Sequence, residues 1–198
     1  MAFPRDALGD TPPPDDFFPL LNRVAESVPP GSHGVLFTPW LNGERCPVED
    51  RTLRAAFLNV SMTTERAHLV RAVMEGVAFN ARWLLDAVER FIHRPLPSLR
   101  ILGGGAVSDL WCQIHADVLD RTIERVAEPL HANLKGAALL AGLGLGRVRL
   151  DEVRDLVRVD GVFRPDGGTR GTYDRLYREL PKLYRAQKPM FARLNRRR

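Results

Sequence analysis

The longest periodic stretch of the chain covers residues 64–92. There Val70, Val73, Met74, Val77, Ala81, Leu84, Val88 and Ile92 recur at helical spacing. That period gathers them on one side of a helix and predicts them as its core face. Thr63 or Thr64 can accept from the first free backbone N–H groups, Glu65 suits the positive helix end, and Pro95 ends the pattern. Upstream, residues 16–28 predict a shorter helix with Phe17, Leu20, Leu21, Val24 and Val28 on one face, stopped by Pro29, Pro30 and Gly31. The apolar run over 34–40 predicts a buried strand. Residues 41–61 read as a long irregular excursion, with Asn42-Gly43 and Cys46-Pro47 as turn signals. Downstream come a strand over 99–102, a helix over 108–119 with Trp111, Ile114 and Val118 on one face, and a strand over 122–127. Residues 133–145 are small and apolar on nearly every side, which predicts a helix packed closely against a sheet. A short capped helix over 151–157 precedes a last long helix over 172–188. Its face is Tyr173, Leu176, Tyr177, Leu180 and Tyr184, and Pro181 interrupts it. Strands alternating with helices predict an α/β layer architecture. The chain divides into a flexible lead-in over 1–15, one domain over 16–190 and a basic tail over 191–198.

Composition changes this picture little. At 198 residues, 44% apolar and 27% charged, the chain has the make-up of an ordinary globular domain. No apolar run approaches the roughly 20 residues a bilayer span needs, and residues 1–10 do not read as a secretory signal. Cys46 and Cys112 form neither a metal spacing nor a disulfide framework, so a reducing, cytoplasmic location is expected. The net charge of +5 is scattered among carboxylates. Its one dense cluster is Arg193, Arg196, Arg197 and Arg198, read as a solvated tail rather than a nucleic-acid contact.

Candidate chemistry centres on Leu99-Arg100-Ile101-Leu102-Gly103-Gly104-Gly105-Ala106. A strand ending in three glycines before a helix lets backbone take positive φ and approach a ligand closely, with helix N–H groups beyond. The dinucleotide fingerprint fails, because Ser108 stands where a third spaced glycine is needed. The same residues also fit a plain tight turn with Ser108 as N-cap. The five histidines form no ligand set, Ser108, Asp109 and His115 form no hydrolase triad, and Gly142, Gly144 and Gly146 read as a helix ending. Glu75, within the long helix, reads as a paired structural carboxylate.

Context sharpens the glycine turn. Gly103 to Leu119, with Trp111-Cys112-Gln113-Ile114 and Ala116-Asp117-Val118-Leu119, resembles the adenosine segment of the FGGY carbohydrate kinases. Four further stretches fall in the family's order. They are Leu41-Asn42-Gly43-Glu44-Arg45-Cys46-Pro47, His68-Leu69-Val70-Arg71-Ala72-Val73-Met74-Glu75-Gly76-Val77-Ala78, Asn133-Leu134-Lys135-Gly136-Ala137-Ala138 and Tyr173-Asp174-Arg175-Leu176-Tyr177. Within the family the likeness is greatest to xylulose kinases. The resemblance implies a ribonuclease-H-like, actin-like ATPase domain, incomplete at its N-terminal side, forming the C-terminal nucleotide-binding portion of an ATP-dependent sugar kinase. It implies ATP or ADP with Mg²⁺, and a sugar partner only where the first domain is present. Carried over, Gly104, Gly105 and Ala106 flank the adenosine, with Gly105 allowing close backbone approach, and Asp109 lies near adenine or ribose. Asn59 falls where many relatives have a glycine beside the phosphates; it crowds that path, donates a hydrogen bond, or is simply a turn residue. Glu44 and Arg45 either orient substrate or form a structural ion pair. No D-x-G-T hairpin or catalytic Asp setting occurs, so the chain is expected to be inactive alone. The alternative is a non-catalytic binding module, and unpaired sheet edges make self-association possible.

Overall fold

The computed structural model describes residues 16–195. The lead-in over 1–15 and the last three arginines lie outside them. Helix α1 (Phe17–Glu26) precedes strand β1 (Leu36–Thr38), which pairs antiparallel with β2 (Ala56–Leu58). The second strand lies inside the stretch expected to be irregular; it is only three residues long, too short to show alternation. Helix α2 (Arg66–Ile92) is the central element. It packs against α1, β1 and α3 (Asp109–Leu119), and its end meets α7 (Leu180–Asn195). Strand β1 crosses it so closely at Gly76 that a Cβ there would lie 2.2 Å from the Phe37 carbonyl oxygen.

The buried side of α2 differs from the apolar face expected. Of the eight residues expected on the core face only Met74 is buried; Val70, Val73, Val77, Ala81, Val88 and Ile92 are half-buried and Leu84 is exposed, whereas His68, Arg71, Ala72, Glu75, Gly76, Ala78, Phe79 and Leu85 are buried. At about 100° per residue, that side is centred on Glu75, nearly opposite the predicted one. A helix packed on several sides buries its polar residues where they find partners. Glu75 Oε1 accepts from Gly31 N (2.9 Å), Arg71 Nε (2.8 Å) and the Tyr173 hydroxyl (3.0 Å), and Oε2 from Ser32 Oγ (2.8 Å). Arg71 donates further to the Ala25 carbonyl. Glu75 is thus the paired structural carboxylate expected. The helix start also moves: Glu65, not Thr63 or Thr64, is the N-cap, and its N–H donates to His68 Nδ1 at 2.9 Å.

The second sheet carries the glycine turn. Strand β3 (Ser98–Ile101) pairs parallel with β4 (Thr122–Val126), and α3 connects them. Strand β5 (Val159–Phe163), not anticipated from sequence, pairs antiparallel with β4 on its other side. Helix α4 (Ala132–Gly144) forms where expected but does not pack closely on the sheet. None of its residues is buried, and Leu134 and Leu140 are each 71% exposed. It is held at its first turns, where Lys135 Nζ donates to the Ala127 carbonyl (2.7 Å) and meets Glu128 (2.8 Å). It ends at the expected glycines, with Gly146 at φ +65°. A short α5 (Val153–Leu156) leads to β5. The last helical stretch is two helices, α6 (Arg170–Tyr177) and α7. The break falls just before Pro181, which occupies the first turn of α7. Residues 191–195, read as the start of a basic tail, continue α7. Phe191 is buried and Asn195 Nδ2 donates to the Thr52 carbonyl at 2.9 Å. The core joins Trp40, Leu53, Phe79, Ile114, Val118, Tyr173 and Leu180.

Candidate functional site

Strand β3 delivers its C-terminal end into a sharp turn. Gly103 takes φ +91°, which only glycine adopts easily, and its N–H donates to the Pro129 carbonyl at 2.9 Å. A single 3₁₀ turn over Gly104–Val107 follows, and Ser108 caps α3 by accepting from Trp111 N–H at 3.1 Å. The Ser108 hydroxyl donates to Asn22 Oδ1 at 2.9 Å, so α1 helps fix the turn. Both sequence readings of Ser108 and the glycines therefore coexist: a capped turn, and an open one.

The three glycines differ. A Cβ on Gly103 or Gly104 would meet nothing within 4 Å, so both face open space. A Cβ on Gly105 would lie 2.9 Å from two atoms of the Trp111 ring. That indole is anchored in turn, Nε1 donating to the Met74 carbonyl at 3.0 Å. Ala106 is fully buried. Beneath it the Cys112 thiol donates to the Ala106 carbonyl at 3.5 Å, and burial pushes that thiol up to about 11, so it is protonated at neutral pH. Gly104 is thus the exposed floor of the turn, while Gly105, where close backbone approach was expected, has Trp111 on its Cβ side and with Ala106 sets the turn's shape.

Asp109 opens α3 and is exposed, but its carboxylate is bonded by Arg125 Nη1. Arg125 also donates through Nε to Asp160 at 2.8 Å and stands over the Phe163 ring at 5.6 Å. This acid–arginine–acid bridge ties the helix start to β4 and β5. Sequence reasoning missed it because β5 was not seen. Asn59 sits elsewhere, at the end of β2. It takes φ +60°, and its Nδ2 donates to the Gly34 carbonyl at 3.0 Å. Asn59 and the glycine turn belong to different sheets.

Between α4 and the sheet lies a cleft of about 740 Å³, lined among others by Leu102, Val126, Lys135, Gly136, Leu139 and Asp160. The space that a closely packed α4 would have filled is open; Leu102, the residue before the glycine turn, lines it, whereas Gly104, Gly105, Ala106, Asp109 and Asn59 do not. Its volume suits a nucleoside-sized ligand, with apolar walls and charged groups at few points. Among the described residues, no three His, Cys, Asp or Glu side chains converge into a metal site.

Other motif residues are architectural. Glu44 forms no ion pair with Arg45, contrary to the structural reading of that pair. Its Oε1 accepts the Arg45 and Cys46 N–H groups, and its Oε2 accepts from Asn80 Nδ2 at 2.8 Å, pinning the long loop to α2. Asp117 accepts from Asp166 N–H (2.8 Å) and Gln113 Nε2 (2.7 Å), holding the segment after β5. His115 Nδ1 faces the Trp111 carbonyl at 2.8 Å, and burial lowers its basicity.

The parallel strand pair joined through a helix, with a glycine turn at the strand end, makes this an α/β domain, and its superposition on solved sugar kinases assigns it to the ribonuclease-H-like, actin-like ATPase class. Residues 6–145 match the FGGY family of carbohydrate kinases, C-terminal domain. The chain belongs to that family. It is 34% identical over 182 residues to a xylulose kinase of Staphylococcus epidermidis, covering 91% of this chain and 36% of the relative. It is 30% identical over 187 residues to a gluconokinase of Bacillus subtilis, covering 91% and 33%. Among solved structures, the xylulose kinase from Rhodospirillum rubrum superposes with a TM-score of 0.74 at 33% identity, over 90% of this chain and 36% of that one. The gluconate kinase from Lactobacillus acidophilus gives 0.79 at 26% identity, over 91% and 37%. The chain therefore spans about a third of the length of the curated relatives it matches. No helix among the described residues is long and apolar enough to cross a membrane.

Proposed function

We propose that this chain is the nucleotide-binding portion of an ATP-dependent sugar kinase acting on a xylulose-like substrate, and that it is inactive alone. The observation that carries this reading is the Gly103–Gly105 turn, which directly follows Leu102 in the wall of the cleft under α4. ATP or ADP lays its adenosine there, with Gly104 as the point of close backbone approach and Gly105 and Ala106 holding the turn in shape. Asp109, steadied by Arg125, borders the adenine or ribose. Asn59 contributes on the phosphate side, its left-handed backbone fixed by Gly34. The chain's own residues bind and orient the nucleotide. Mg²⁺ would accompany the nucleotide, bound chiefly through its phosphate oxygens and held together with the sugar-binding domain. The carboxylate that takes the sugar proton likewise belongs to another domain, and general-base help is worth about 10²–10⁴ in rate.

The test has two arms. Purified chain with ATP, Mg²⁺ and D-xylulose is expected to form no sugar phosphate above background. Calorimetric titration with ADP is expected to show one site. Turnover by the chain alone overturns the assignment of catalysis to another domain. Absence of ADP binding removes the nucleotide role and favours a non-catalytic module.

A further inference from the structure

A second depression, wide open to solvent and larger than the cleft under α4, lies where the C-terminal end of α2 meets α6 and α7. It measures about 850 Å³, and nothing in the proposed kinase role uses it. Its rim is cationic: Arg90 and Arg94 come from the end of α2 and just beyond, and Arg178, Lys182 and Arg185 from the α6–α7 junction. The two carboxylates that also line it are committed inward. Asp86 accepts from the Tyr177 hydroxyl, and Glu89 takes the Arg121 guanidinium and the Leu96 N–H. Lys182 is partly engaged by Glu179 at 2.8 Å. Among the described residues, none of the four arginines has a carboxylate partner, although the chain pairs many of its others.

Two of these arginines are also pre-oriented. Arg90 Nε donates to the Asp86 carbonyl one turn back at 3.0 Å, and Arg178 Nε does the same with Asp174 at 3.1 Å. Each guanidinium is thereby tethered at one end, and its Nη groups bond to no other described residue. Ordering an arginine this way reduces the entropy lost when it grips an anion. The floor is apolar and stiff. Trp83 packs against Tyr184 at 5.4 Å and Trp40 at 6.4 Å, and Pro95 and Pro181 flank it.

We propose that this groove binds a small, multiply charged phosphoanion. The size falls in the range of roughly 300–1,000 Å³ typical of small-ligand sites. Forked guanidinium groups from two helices match phosphoryl oxygens, which they can grip in bidentate fashion. The site is separate from the nucleotide cleft, sharing no lining residue with it.

The probe is inorganic tripolyphosphate, titrated calorimetrically into the full chain at about 0.1 M salt, where long-range attraction between exposed charges is largely screened. One site is expected. The Arg90→Ala/Arg178→Ala double variant should weaken it by roughly tenfold or more. Arg51→Ala, at an exposed arginine outside the groove, should leave it unchanged. Melting curves establish that the double variant is folded, and ADP should bind it as it binds the wild type. Equal affinity in double variant and wild type, or no binding at all, overturns the proposal. So does competition between ADP and tripolyphosphate, which would put the anion in the nucleotide cleft. Binding of a single-stranded oligonucleotide without binding of tripolyphosphate would show that the groove reads a phosphodiester chain, and would also overturn it.

Discussion

Gly104 and Gly105 are adjacent and chemically identical, yet the fold asks different things of them. An alanine at 104 points into open space, while one at 105 presses on the Trp111 ring at 2.9 Å. Gly104→Ala is therefore expected to leave the melting temperature nearly unchanged and to weaken ADP binding, if the nucleotide approaches as proposed. Gly105→Ala is expected to cost about 1–3 kcal/mol of stability by overpacking against an indole that cannot easily move. Denaturant unfolding and ADP titration of both variants separate the two effects. A reversed pattern would place the ligand on the other side of the turn. At this scale the sequence marked the glycine turn as a feature but not how differently its glycines are placed. Three consecutive glycines read alike until their surroundings are known. Asp109 could be named from the family resemblance, whereas its partner Arg125 could not, because the bridge is completed by Asp160 on a strand with no clear alternation.

Single elements show where periodicity carries and where it stops. Helix α2 was legible in length because 27 residues keep one spacing, but its buried side was misplaced. The pattern counts apolar residues only, and the most buried strip is built around the Arg71–Glu75 pair. Strand β1 was legible as a buried apolar run, whereas β2 is too short to display alternation and β5 is interrupted by Asp160 and Gly161. Helix α4 had the composition of a packed helix, yet stands off the sheet with a cleft beneath it. The far end of α2 carries a pH-dependent tie. Arg121 donates to both oxygens of Glu89, at 3.0 and 2.8 Å, and so fastens α2 to the start of β4. The Arg121 hydrogen bonds hold the Glu89 carboxyl below its ordinary value. A depressed carboxyl stabilises the fold above its unfolded-state value, and that contribution is lost as pH falls through the folded one. Glu89→Gln is thus expected to cost about 1–2 kcal/mol at pH 7. The difference from wild type should shrink in acid below the usual glutamate range. Urea unfolding across pH checks this; a gap that persists undiminished in acid would mean the cost comes from packing and not from charge.

Over the whole molecule, apolar surface is unevenly spent. Leu145 is 76% and Leu150 78% exposed, and together with Leu134 and Leu140 they make the α4 region a large uncovered apolar area. Such areas associate. Sedimentation velocity is expected to show concentration-dependent self-association, reduced by Leu134→Gln with Leu140→Gln. A monomer at all concentrations would count against it. The opposite kind of surface, the cage around Glu75, has a consequence in time rather than space. Its members come from residues 25, 31, 32, 71, 75 and 173, and the Tyr173 hydroxyl reaches back 98 positions to Glu75 and 102 to Arg71. Loop-closure entropy delays contacts that distant in sequence, and the chain emerging from a ribosome supplies Tyr173 last. The cage is therefore expected to close after the folding barrier, acting as a latch on unfolding. Tyr173→Phe should cost about 1–3 kcal/mol and appear almost wholly as faster unfolding, with the folding limb of the stopped-flow chevron unmoved. If folding slows instead, the chain's two ends meet before the barrier, and the latch is part of the nucleus.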